Sequence, residues 1–281
     1  MGSYFKIGTE LRNRVEQFQP DVIHVMYGGV LSERVTCIVK EKPVVVSFCG
    51  SDLLGERLSG VWRTIVSKCG VIASHISARR AAAVIVKSRN LEMALPTTVS
   101  RSKVRIIPNG IDFMRFRPLD QMDCREKLGW ESNKFHVLFP ANNGDPVKRP
   151  NLAQTAVKVT NQFGLNAEMY QLKGVAHEEV PIWLNASGVV LLTSLQEGSP
   201  NVIKEALACD VPVVSVDVGD VRERLHGIEG CYIATPDPQD LAEKLRLVGL
   251  QRDRIAGRIS LEQTSVSLSR LYEEVLASSR N

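Results

Sequence analysis

Runs of bare valine and isoleucine alternate along the chain with stretches whose apolar residues recur at helical spacing. The first kind suits parallel strands covered on both faces, the second one side of a helix. Ile7, Leu11, Val15 and Phe18 step by four, four and three, which predicts a helix ended by Pro20. Strands are predicted at Val22–Met26, closed by Gly28-Gly29, at Val44–Phe48, ending at Gly50, and at Ala83–Val86 and Val104–Ile107. The turn cluster Pro108-Asn109-Gly110 follows, and Ile111–Asn133, poor in apolar runs, is predicted to be a connector. The alternation then restarts. Phe135–Phe139, Ala167–Leu172, Val189–Thr193 and Val213–Val216 read as strands. Leu152, Ala156, Val159 and Phe163 mark a helix, and Asn201–Ala208 and Asp240–Leu250 read as two more. Leu268, Leu271, Tyr272 and Val275 give the tail one helical face.

Two consecutive series of βα repeats predict an α/β protein of two domains with parallel sheets, residues 1–118 and 119–263, followed by a tail helix over 264–281. Ligands of such sheets bind beyond the carboxyl ends of the strands, and the expected site is a cleft between the domains.

Composition narrows the class. The 281 residues are 44% hydrophobic and 23% charged, the balance of an ordered globular chain. The longest apolar run, Ala81–Val86, is far too short for a membrane-spanning helix, and Met1–Gln19 shows no secretory pattern. Six cysteines without a CxxC pair suggest reduced thiols and a cytoplasmic protein. A net charge of +4 is too mild to argue a nucleic-acid partner.

The most informative stretch is Leu191–Ala206. A strand ends at Thr193, a polar loop carries Glu197, Gly198 and Ser199, and a helix begins near Pro200. The backbone N–H groups of Asn201 and Val202 at that helix start form a seat for phosphate. Glu205 follows on the order of 6 Å along the axis from Asn201. Two carboxylates so placed suit the hydroxyls on either side of a diphosphate, as in a nucleotide sugar. By spacing alone, the pair fits equally well a loop carboxylate and a solvated helix residue.

Glu197 and Glu205 resemble the EX7E motif of the retaining glycosyltransferases of family 4. Pro20-Asp21-Val22-Ile23-His24 resembles the family's "PDVIH" strand, and Ser47–Asp52 its "HGSD" loop. Pro108–Asp112, followed by Phe116-Arg117-Pro118, resembles its "PNGID" segment, and Val147-Lys148-Arg149-Pro150 its phosphate loop. Pro212–Ser215 and Val218-Gly219-Asp220 match the strand and turn after EX7E. The matches run in family order over nearly all of the chain. The resemblance implies a GT-B architecture, two Rossmann-like domains facing a cleft, with a tail helix that packs back on the first. It implies sugar transfer from a nucleotide-diphosphate donor with retention of configuration and without a metal. Glu197 would contact the donor sugar, Glu205 the ribose, and Lys148 the diphosphate. Gly198, Ser199, Asn201 and Val202 would line the donor seat, with Gly174 near the base. Gly50, Ser51 and Asp52 would lie on the acceptor side. Asp52 is alternatively a helix cap, and His24 a core histidine or a ligand contact.

The chain departs from the pattern in three places. Asn143 stands where the family usually carries an arginine, and either Arg149 replaces that charge or its neighbour Pro150 points it elsewhere. Cys49 stands for the loop histidine. The family's opening strand, glycine loop and helix pair, about 60 or more residues, are expected to precede a first domain of ordinary size. A shortened first domain would expose apolar surface for a partner to cover. The basic residues Arg79, Arg80, Lys87, Arg89, Arg101, Lys103 and Arg105 suggest a solvated face or attraction to an anionic membrane or lipid-linked acceptor. Glycan and small-molecule acceptors fit as well. The competing functions are a nucleotide- or glycan-binding GT-B protein without turnover, or one dependent on a partner, and a nucleotide-sugar epimerase, which the EX7E context disfavours.

Overall fold

The computed structural model describes residues 2–56, 60–140, 145–251 and 261–279. The chain divides into two compact units, residues 1–109 with 262–281, and residues 110–261.

The first unit runs α1 (Gly2–Phe18), β1 (Ile23–Val25), α2 (Val30–Ile38), β2 (Val44–Phe48), α3 (Ser51–Leu54), α4 (Val61–Arg80), β3 (Ala83–Val86), α5 (Arg89–Met93) and β4 (Val104–Ile106). Its four strands pair in parallel in the order β1-β2-β3-β4, with Val45 opposite Ala83 and Val84 opposite Val104. β2 and β3 are sealed along their whole length, which is why their residues are valine, isoleucine, alanine and phenylalanine, with Ser47 as the one polar exception. One face packs Val46, Phe48, Val84 and Val86 against Val15, Val35, Ala78 and Leu91.

The second unit runs α6 (Gln121–Leu128), β5 (Phe135–Phe139), α7 (Pro150–Gln162), β6 (Ala167–Gln171), α8 (Val180–Ala186), β7 (Val189–Leu192), α9 (Asn201–Ala208), β8 (Val213–Val216), α10 (Val221–Leu225), β9 (Tyr232–Ala234) and α11 (Pro238–Gln251). Its five parallel strands lie in the order β6-β5-β7-β8-β9, so the chain reverses its direction of travel beside β5 and β7. That crossover is where open α/β sheets form their binding crevice. One face carries Leu138, Val190, Leu192 and Val213 against Leu184, Ile203 and Leu207, and the other carries Val137, Leu191 and Val214 against Ala156, Leu241 and Leu245.

The last helix, α12 (Leu261–Ser279), returns to the first unit, where Leu271 and Val275 cover Val45, Ala83, Ile85 and Ile107. His24 fastens it there. Its Nδ1 lies 2.6 Å from the Tyr272 hydroxyl and its Nε2 2.7 Å from Ser47 Oγ, and burial together with the Lys87 charge lowers its pKa.

Two expectations need correction. The division falls after Asn109, and Ile111 and Phe116 are core residues of the second unit, so residues 110–118 belong there. The stretch Ile111–Asn133 is also more than a connector, because it contains α6. Asp120 caps that helix by accepting from the Met122 and Asp123 amides, and Gly129, left-handed at φ 67°, ends it. Cys124 and Trp130 then enter the core.

Candidate functional site

Beyond the carboxyl end of β7 the second unit assembles a polar constellation from separate loops. Asp145 Oδ1 accepts from the Val147 amide (2.9 Å) and starts a single tight turn, Pro146–Lys148. Arg149, left-handed at φ 52°, redirects the chain into α7. This loop is fastened to the end of β7 at several points. The Leu195 amide donates to the Val147 carbonyl at 2.7 Å, and Thr193 Oγ1 to the Lys148 carbonyl at 2.8 Å. The outcome is a 2.5 Å contact between Lys148 Nζ and Glu197 Oε1, both half-buried.

Arg149 does not replace the charge missing at Asn143 in this arrangement. Its Nε donates to the Thr193 carbonyl (2.5 Å) and its Nη2 to the Ser194 carbonyl (3.1 Å), so the guanidinium braces the loop from behind. The left-handed backbone turns it that way, and burial lowers its pKa. Asn143 itself lies outside the described residues.

The loop that carries Glu197 is held from the other side. Gly219 is left-handed at φ 60°, and a Cβ there would stand 2.7 Å from the Gly198 carbonyl oxygen, so glycine is required for the two backbones to meet. Ser199 Oγ donates to Asp220 Oδ2 (2.8 Å), which also accepts from Arg224 Nε (2.7 Å), and Asp220 is buried. The brace formed by Asp220 and Arg224 is visible in sequence only as the residues after a glycine turn. Pro200 then opens α9 without a side-chain cap. One turn on, Glu205 is half-buried. Desolvation raises its pKa, against the opposing charges of His177 and Lys204. His177 lies in the β6–α8 loop, which also contains Gly174, left-handed at φ 69° with open space around it.

In the first unit, the Asp52 carboxylate is buried and engaged by backbone. It accepts from the amides of Gly28 (2.8 Å), Cys49 (3.0 Å) and Gly50 (2.8 Å), tying the loop after β1 to the loop after β2. Gly50, not Asp52, occupies the cap position of α3. The Ser51 hydroxyl lies 2.6 Å from that of Tyr27. Asp52 therefore positions the strand-end loops. The basic segment is likewise mostly engaged: Lys87 is buried, Lys103 donates to the Arg79 and Ala81 carbonyls, Arg101 to those of Glu92 and Leu95, and Arg105 pairs with Glu274.

A cavity of about 660 Å³ lined by Arg125, Phe135, Gly188 and Pro212 lies at the amino ends of β5, β7 and β8, the end of a parallel sheet opposite to its ligands.

Comparison with known proteins bears on the family and the fold. Residues 2–115 match the family described as "Glycosyltransferase Family 4", and residues 143–248 that described as "Glycosyl transferases group 1". A D-inositol 3-phosphate glycosyltransferase of Geodermatophilus obscurus is 28% identical over 220 residues, 62% of this chain and 49% of that one. One from Catenulispora acidiphila is 26% identical over 270 residues, 80% of this chain and 63% of that one. The chain thus spans about half to two-thirds of the length of these relatives. Among solved structures, sucrose-phosphate synthase from Thermosynechococcus elongatus superposes with a TM-score of 0.71 at 16% identity, covering 97% of this chain and 78% of that one. Anabaena HepE in complex with UDP gives 0.70 at 18%, covering 96% and 82%. At such identities the structures speak to fold alone, and the fold they share is the pairing of two Rossmann-like units.

Proposed function

The chain belongs to the glycosyltransferases of family 4, and from that premise we propose that its second unit seats a nucleotide-diphosphate sugar for transfer to an acceptor hydroxyl with retention of configuration. The observation that carries this reading is the 2.5 Å pairing of Lys148 with Glu197, on the loop that leads into α9. A diphosphate is recognised by a cation and by backbone N–H groups together. Both are present within one unit, and Glu205 stands one turn further on to accept from ribose hydroxyls. Anabaena HepE is described in complexes with UDP and with UDP-glucose, which supports the same ligand class.

In the proposed reaction the acceptor oxygen attacks the anomeric carbon from the face that the diphosphate leaves. The bond from that carbon to the phosphate oxygen breaks, and the departing phosphate takes the acceptor's proton. Lys148 and the N–H groups of Asn201 and Val202 neutralise the charge that develops on the leaving oxygen, and this stabilisation requires no metal. Glu197, whose contact with Lys148 the arriving diphosphate replaces, accepts from the donor sugar's hydroxyls. Gly174 offers open backbone for the base.

The test is acceptor-dependent release of nucleoside diphosphate from UDP-, GDP- or ADP-sugars, with EDTA present and Lys148→Ala as the blank. Binding without acceptor-dependent release would instead support a nucleotide-binding protein without turnover.

A further inference from the structure

Helix α4 is amphipathic in the reverse of the usual sense. Its buried side is made of Ala73, Ser74, Ser77 and Ala78. Two of these serines hold neighbouring chain: Ser74 Oγ accepts from the Gly29 amide (2.7 Å), and Ser77 Oγ accepts from Ser32 Oγ (2.8 Å). Small residues on this side let α2 approach closely. The outward side carries Val61, Ile65, Cys69 and Ile72 at steps of four, four and three, with Trp62 and Val66 alongside. Val61 is 80% exposed, Trp62 75%, Ile72 59%, Val66 56% and Ile65 45%. Spread over about 16 Å of one helix, these residues form a continuous apolar stripe, unlike the scattered single apolar residues of ordinary surfaces.

The charges carried by the helix itself have one sign, and the acidic residue beside its amino half, Glu56, meets it through its amide, which donates to Ser67 Oγ at 2.8 Å. The helix contains Arg63, Lys68, Arg79 and Arg80 and no aspartate or glutamate. Glu33, which α2 brings to it, is paired with Arg80 at 2.6 Å. An aliphatic stripe with tryptophan at its start and cations beside it matches the boundary between acyl chains and anionic headgroups. No helix among the described residues is long and apolar enough to cross a membrane, so such a helix would lie in the surface plane. We propose that α4 docks the first unit on an anionic lipid surface, with Val61, Trp62, Ile65, Val66 and Ile72 entering the headgroup layer and Lys68 contacting lipid phosphate. The surface reading thereby rests on α4 and not on the segment Arg79–Arg105, whose side chains are mostly engaged. It is independent of the donor seat.

The experiment is flotation of the full chain with vesicles of phosphatidylcholine alone and of equal parts phosphatidylcholine and phosphatidylglycerol. The wild type should float with the anionic vesicles and much less with the neutral ones. Trp62→Ser combined with Ile65→Ser should lower partitioning about tenfold or more, and Lys68→Gln about fivefold. Both variants alter exposed side chains, so circular dichroism and nucleotide affinity should be unchanged. A fluorophore on the exposed Cys69 should shift to the blue on anionic vesicles and be quenched by brominated lipids, with Cys69→Ser as the labelling control. Equal behaviour of wild type and variants on anionic vesicles would overturn the proposal. So would a concentration-dependent dimer in lipid-free solution that the Trp62/Ile65 variant abolishes, since the stripe would then be an interface between copies.

Discussion

Lys148 and Glu197, separated by 49 positions in the chain, meet at 2.5 Å because Thr193 and Leu195 bind the backbone of the loop that carries the lysine. The pair is a contact of the free protein that a diphosphate would exchange for its own. The loop is held in place by backbone hydrogen bonds, so the lysine stays near its position when the partner changes, as a preorganised site requires.

Lys148→Ala should weaken nucleoside diphosphate binding by about 1.5–3 kcal/mol, the range for a charged hydrogen bond. Turnover should fall further, by a factor of about 10²–10³, because charge on the leaving oxygen grows toward the transition state. Lys148→Arg should restore little, since a planar fork does not reproduce a compact ammonium. Titration calorimetry and initial rates on the three proteins separate the two effects.

Glu205 gives two slopes of opposite sign. Burial raises its folded pKa above the ordinary value of 4.5, so the unfolded chain holds its proton less tightly. This group's contribution to stability therefore rises as pH falls through the folded pKa toward 4.5 and levels off below it. Nucleotide binding, for which the ionised carboxylate is proposed to accept from hydroxyls, should weaken over the same interval. Glu205→Gln should remove both slopes relative to wild type, as read by urea melts and by calorimetry from neutral pH to about pH 5.

Gly219→Ala places a Cβ 2.7 Å from the Gly198 carbonyl at a left-handed φ of 60°. It should cost about 2–4 kcal/mol of stability and reduce nucleotide affinity by displacing the loop of Glu197. Chemical denaturation and a nucleotide titration on the same sample test this, and an unchanged midpoint would refute it.

Asp52→Ala leaves the amides of Gly28, Cys49 and Gly50 without their carboxylate. At about 1–3 kcal/mol for each stranded group, a loss of about 3 kcal/mol or more is expected. Nucleotide affinity should be unchanged wherever the protein stays folded. Asp52→Asn, which keeps the shape and one acceptor oxygen, should cost less.

The parallel strands are legible in sequence because burial on both faces leaves them almost wholly apolar and rich in β-branched residues, as in Val44–Phe48, where Ser47 is the exception, and Ala83–Val86. Helix α9 is legible for a related reason: its buried side is Ile203, Ala206 and Leu207 at helical spacing. α4 escapes the same test because its buried residues are serine and alanine and its apolar ones face outward. α6 escapes because its core contribution is Cys124 and the buried stem of Arg125, so only its caps, Asp120 and Gly129, mark it. At the proposed site, a motif points to Lys148, Glu197 and Glu205 but not to what holds them. That Arg149 turns to the Thr193 and Ser194 carbonyls, and that Asp220 links Ser199 to Arg224, follow from backbone angles and long-range packing that no local pattern encodes.

The central claim is that the second unit carries a seat for a nucleoside diphosphate at Lys148, Glu197 and the start of α9. It is tested most directly by calorimetric titration of the full chain with UDP, GDP and ADP in the presence of EDTA. The account predicts saturable binding of at least one of them, weakened by Lys148→Ala and by Glu205→Ala. Absence of saturable heat with all three nucleotides, from a chain shown to be folded by circular dichroism, would contradict it.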